Sequence, residues 1–181
     1  MRKSRTYRKA KYIIYRQTVL DPVDHLWTFL GGFVGIGIIG FLQSFQFSQT
    51  DNIFLIGSFG ASAVLIYGAS NSPLAQPRNL VGGHLISAFI GICCTYLISA
   101  PQLLWLASAL AVSFSIVAMQ ITKTMHPPGG ATALIAVIGS DTIKDLGFFY
   151  ILSPVLSGVF VLLLTGLFFN NLSRNRNYPY R

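Results

Sequence analysis

Between Gln17 and Ser173 the chain carries only eight charged side chains: Asp21, Asp24, Asp51, Arg78, Lys123, Asp141, Lys144 and Asp145. Glutamate is absent, and charged residues make up 10% of the whole, where a soluble domain carries roughly a quarter. A surface so poor in charge cannot be covered by water. The chain therefore reads as an integral membrane protein, all-helical because a lipid-facing backbone must satisfy its own hydrogen bonds.

The hydrocarbon core is about 30 Å thick, so a spanning helix needs about 20 apolar residues. Six apolar segments appear, at about 26–45, 53–68, 80–99, 102–121, 129–139 and 148–169. The second is short and the fifth very short, which leaves open whether they span fully or are broken. The expected organisation is a basic N-terminal tail over 1–20, a transmembrane domain over 21–170 and a basic C-terminal tail over 171–181. The N-terminal region lacks a signal-peptide h-region of the right length and is read as retained.

Seven of the thirteen basic residues fall before position 17 and three more, Arg174, Arg176 and Arg181, lie at the other end. With both termini cytoplasmic and six crossings, every Lys and Arg except Lys144 lies inside, a strong positive-inside bias. The net charge of +8 does not imply nucleic acid, because no folded basic face accompanies it. The tails are expected to mark topology and to touch anionic lipid headgroups.

Small residues recur at helical spacing: Gly83, Ser87, Gly91, Thr95 and Ser99; Ala107, Ala111 and Ser115; Gly31 and Gly35. Such stripes let backbones approach in lipid and mark helix–helix seams, within one chain or in a homo-oligomer. Gly60-Ala61-Ser62-Ala63-Val64 also matches Gly130-Ala131-Thr132-Ala133-Leu134 at an offset of 70. Two units of three segments follow, the second inverted relative to the first. Cys93 and Cys94 sit inside an apolar run and are read as packing residues.

The sharpest local feature is Met125-His126-Pro127-Pro128-Gly129-Gly130-Ala131-Thr132. Two prolines cannot continue a helix, but proline suits a first helical position, so a helix is expected to start at Pro128. Free N–H groups around Gly129 and Gly130, with the Thr132 hydroxyl, would suit a small anion. Ser58, Gly60 and Ser62 offer the same groups at a second expected helix start. The other reading is that Pro-Gly-Gly only turns the chain at a membrane edge. Arg78, followed by Asn79, either holds a planar oxyanion or snorkels as a topology marker. His84 is an ionisable group at membrane depth, with a functional role or a bracing one. His126 either approaches the ligand or caps the turn.

His126-Pro127-Pro128 with Gly129-Gly130-Ala131-Thr132-Ala133 resembles the signature of the HPP family of integral membrane proteins. The resemblance extends to Phe59-Gly60-Ala61-Ser62-Ala63, to Ser72–Asn79 and to Gly82-Gly83-His84, over roughly residues 20–170. It implies four membrane spans, against the six apolar segments, and nitrite as the leading substrate. With no long plant-type transit peptide, it also points to a bacterial, cyanobacterial plasma membrane.

Enzyme chemistry is not expected. No acidic residue lies within an apolar segment, and His25, His84 and His126 lack metal-ligand spacing. No phosphate-binding loop is present, and no cofactor or metal is expected. The function expected is transport of a small monovalent anion. A channel or carrier for another anion, or a scaffold subunit with no pathway, is the alternative.

Overall fold

The computed structural model describes residues 21–180, so the expected N-terminal tail lies outside the described residues. Among them every regular element is helical. Asp21 caps the first helix by accepting from the Val23 N–H at 2.9 Å, and Pro22 occupies the first helical position. Helix α1 then runs Pro22–Gln43 and α2 runs Gln49–Ala63, continuing as a π-helical turn over Val64–Gly68. Helix α3 is Pro77–Leu97, and α4 is Leu104–Thr122, led in by a 3₁₀ turn at Pro101–Leu103. Helix α5 is the short Pro128–Ile138, and α6 is the brief Asp141–Asp145. Residues 151–156 lead into α7, Ser157–Leu172, through a kink where Ser153 is extended and Pro154 follows.

Four of these passes, at 22–43, 77–97, 101–122 and 151–172, are long and apolar enough to cross a membrane. The two shorter apolar helices, 57–68 and 128–138, are the second and fifth segments. The four spans implied by the family resemblance and the six apolar segments therefore describe one bundle. Nonetheless α2 does not begin at its glycines. With its polar first turn and the π turn it lies antiparallel to α1, from Gln49 to Gly68, about 30 Å at 1.5 Å per residue. Gly60 is consequently inside a helix, and the expected helix start there is corrected. Ser48 is the reason: its hydroxyl accepts from the Asp51 N–H at 3.3 Å and starts the helix about three turns before Gly60.

The small-residue stripes are the seams. Gly31 and Gly35 receive the Tyr67 ring, and Ala107, Ala111 and Ser115 bury against the neighbours of α4. Gly91 lies so close to α5 that an added Cβ would stand 2.5 Å from the Ala133 carbonyl oxygen. Thr95 reinforces the same seam by donating to the Ala136 carbonyl at 2.9 Å, while Ser99 lies beyond the helix and is exposed. The outward surface carries Phe29, Phe33, Phe41, Trp105, Ile121 and Phe168, a face suited to acyl chains and not to water.

Residues 173–180 do not hang free as a tail. Arg176 turns back and buries its guanidinium, 3.7 Å from the Asp24 carboxylate, which also bonds to the Ser173 hydroxyl. It donates to the Tyr67 carbonyl at 2.9 Å, the Asp24 carbonyl at 2.8 Å and the Thr28 hydroxyl at 2.8 Å. Asn170 donates to the Ile66 carbonyl at 3.0 Å. A π turn loosens the helical ladder, and these donors satisfy its carbonyls. Tyr178 is buried and its hydroxyl donates to the Ala75 carbonyl at 2.7 Å. The start of α1 and the end of the chain therefore share one face of the bundle.

Candidate functional site: a buried histidine seam

Helices α2 and α5 lie antiparallel, and polar side chains join them along their length. Ser58 meets Thr132 at 2.8 Å and donates to the Pro128 carbonyl at 3.1 Å; near the far end Asp51 accepts from Ser140 at 2.7 Å. Pro128 starts α5 as the sequence implies, and the preceding loop carries His126 inward. Asn79 holds that loop by donating to the Met125 carbonyl at 2.8 Å.

At the centre stand two imidazoles with no exposed surface, ring centroids 4.9 Å apart. Ser62 lies between them, its hydroxyl 2.8 Å from His84 Nε2 and 2.9 Å from His126 Nε2. His84 Nδ1 is 2.7 Å from the Thr132 hydroxyl, and His126 Nδ1 is 2.8 Å from the Leu74 carbonyl. Phe59 flanks His84, with ring centroids 5.6 Å apart.

The hydrogens can be placed by elimination. A carbonyl only accepts, so His126 Nδ1 carries a hydrogen and, in a neutral ring, Nε2 accepts. Ser62 then donates to His126 and accepts from the Nε2–H of His84. His84 Nδ1 accepts from Thr132. The result is one head-to-tail chain, Thr132 to His84 to Ser62 to His126 to Leu74, complete with both rings neutral. Among the described residues no carboxylate bonds to either ring: Asp24 is taken by Arg176, and Asp51 by Ser48 and Ser140.

The structure thus brings together Ser58, Ser62, His84, His126 and Thr132, contributed by α2, α3, α5 and the loop before α5. It leaves others apart. Gly60 has open space where a Cβ would stand, and Gly130 faces Val112 on α4 at 3.8 Å. Gly129 packs on the Gly83 carbonyl and the Ser87 hydroxyl, each 2.8 Å from its would-be Cβ. The N–H groups expected to cradle an anion are engaged: Gly129 donates to the His126 carbonyl at 2.8 Å and Gly130 to that of Pro127 at 3.0 Å. Arg78 is exposed at the start of α3 and donates to the Thr122 carbonyl at 2.9 Å, outside the seam.

Three participants were not expected. Tyr150 is buried and donates to the Thr132 carbonyl at 3.0 Å. Leu74 supplies the terminal acceptor through its backbone, which no side-chain pattern announces. Ser87 is fully buried, and among the described residues its hydroxyl has no partner. Its place on the Gly83–Gly91 stripe was the available signal.

Fold and site together define a polytopic helical membrane protein with an ionisable, hydrogen-bonded centre. The chain belongs to the HPP family, matching its description "HPP, transmembrane region" over residues 17–179. Two transmembrane proteins of Dictyostelium discoideum are similar: one is 50% identical over 84% of this chain and 49% of its own length. The other is 47% identical over 91% of this chain and 58% of its own length. The chain spans about half the length of these curated relatives, and neither is bacterial. No solved structure matches.

Proposed function

We propose that this protein carries a small monovalent anion, nitrite first, across its membrane along the seam between α2, α3 and α5. The observation that carries the reading is the cluster itself. Five polar side chains are withdrawn from water inside a bundle otherwise built from small and apolar residues, and ionisable groups at membrane depth are costly enough to mark a pathway. Ser87 adds a buried hydroxyl that has no partner among the described residues, beside Gly129, a donor available to an anion. The antiparallel run of α2 against α5 supports an inverted pair of three-helix units. So does the position of Ser62 and Thr132, the matched hydroxyls of the sequence repeat, on the two nitrogens of one imidazole.

The face shared by the start of α1 and residues 173–180 is the cytoplasmic one in this reading, because twelve of the thirteen basic residues then lie inside. Arg78 stands on that face as a mouth residue that draws anions toward the seam.

A second reading, a membrane scaffold with no pathway, draws on the continuity of α2 through Gly60 and on the complete pairing of the two rings. Uptake into proteoliposomes separates the two. Nitrite, nitrate, formate and chloride are offered to purified protein, with protein-free vesicles as the baseline. Transport predicts nitrite uptake above that baseline and a large loss in folded Thr132→Val. No anion entering faster than into bare vesicles would leave the scaffold reading standing.

A further inference from the structure

We infer that the His84–Ser62–His126 seam is a proton relay, and that the anion crosses together with one proton in an electroneutral step. The inference rests on the anion-transport reading and adds the coupling ion to it. Each link is a short hydrogen bond between groups able both to give and to take a hydrogen, at 2.7, 2.8 and 2.9 Å from Thr132 to His126. A purely bracing contact would need one such bond. Here two imidazoles with no exposed surface are bridged through one hydroxyl, the arrangement in which a charge can be handed from ring to ring.

The step balances in protons. An incoming proton bonds to His84 Nδ1, displacing the hydrogen bond from Thr132. The His84 Nε2–H bond breaks as its hydrogen passes to the Ser62 oxygen, and the Ser62 hydrogen passes to His126 Nε2. His84 is left neutral in its other tautomer, Ser62 is a hydroxyl again, and His126 holds the charge. The three bonds from Thr132 to His126 have reversed direction, while His126 still donates to Leu74. Release requires His126 to leave the Leu74 carbonyl, which only accepts and therefore closes that end of the chain.

The surroundings of the pair decide the stoichiometry. Around it stand Ser58, Phe59 and Ser62 from α2, Thr132 from α5 and the Leu74 carbonyl, with Ser87 of α3 against Gly129; Tyr150 reaches it only through the Thr132 carbonyl. The cations Arg78 and Lys123 are exposed on the tail-bearing face, and the buried carboxylates Asp24 and Asp51 are engaged elsewhere. Among the described residues no fixed charge thus balances an imidazolium in the seam, and none balances an anion there. Each is stable in the seam only with the other, so proton and anion enter as a pair.

The test uses the full chain in proteoliposomes, with nitrite as the probe, a trapped pH dye, and protein-free vesicles to subtract diffusion of nitrous acid. With the potential clamped and the interior alkaline, nitrite accumulates about tenfold per unit of pH gradient, one proton per anion. A potassium–valinomycin potential at equal pH drives no accumulation. Uptake that follows the potential without moving protons would sink the relay while leaving anion transport intact. No flux above the protein-free baseline would sink transport and the relay with it. Ser62→Ala gives a separate readout: gradient-driven uptake falls tenfold or more, whereas exchange of labelled for unlabelled nitrite at equal pH falls less, and Ser62→Thr restores part of the uptake. Equal losses in both assays would make Ser62 a packing residue and overturn its role. The wild-type gradient and potential experiments stand whether or not a variant folds.

Discussion

Replacing Gly91 with alanine tests whether close helix packing is what holds the histidine seam in register. The added methyl would stand 2.5 Å from the Ala133 carbonyl oxygen and 2.9 Å from Ala133 Cα, both backbone atoms that cannot swing aside. Ordinary contact begins at 3.4 Å, so α3 and α5 must part there by about 0.9 Å. His84 rides on α3 and Thr132 precedes Ala133 on α5. A rigid parting of that size stretches their 2.7 Å hydrogen bond to about 3.6 Å, past bonding range. Overpacking of this kind costs about 1–3 kcal/mol, or about 2–12 °C of melting temperature for a chain of this size. Gly91→Ala should therefore remain folded but melt lower and lose most gradient-driven uptake. Gly37→Ala is the control, since nothing lies within 4 Å of its would-be Cβ. Melting is followed in detergent and uptake in proteoliposomes. A Gly91→Ala protein that melts and transports like wild type would refute both the tightness of the seam and its link to the site.

Arg176→Met should lower stability by about 3 kcal/mol, because Asp24 stays buried without its guanidinium. Adding Asp24→Asn should recover part of the loss in a thermal melt, and a double variant no better than the single one would count against the ion pair. Arg78→Gln should raise the apparent KM for the anion at low ionic strength, with the difference vanishing at high salt where an exposed charge is screened. A KM unchanged at low salt would reduce Arg78 to a tie between α3 and α4.

The helices were legible in the sequence because lipid imposes one demand, a long apolar stretch, and Pro22, Pro77, Pro101 and Pro128 punctuate the chain where helices or their lead-in turns begin. Ser58, Ser62, His84, His126 and Thr132 were legible as polar exceptions inside such stretches. Gly60 misled because glycine at a helix start and glycine inside a membrane helix look alike, and only the Ser48 cap settles where α2 begins. The tail misled for a different reason. Arg176 shares its composition with solvated basic ends, and its burial depends on carbonyls that a π turn 109 residues earlier presents to it. Backbone acceptors such as Leu74 leave no trace in side-chain pattern at all.

The fastening of Arg176 and Ser173 to Asp24 has a consequence for the order of biosynthesis. These contacts join residues 152 and 149 positions apart, so the Pro22–Gln43 helix waits for all the later helices before its polar end is satisfied. Helices in lipid insert first and associate afterwards. During that interval Asp24 and the glycine face of α1 are uncovered, and α2 can shelter the second only once Tyr67 arrives. Residues 173–178 are then the ones that close this bundle, locking the π turn and the Leu74–Ala75 segment together. A chain shortened before Arg176 would insert all its helices and remain an open bundle, with the histidine seam built but its enclosing segment unfastened.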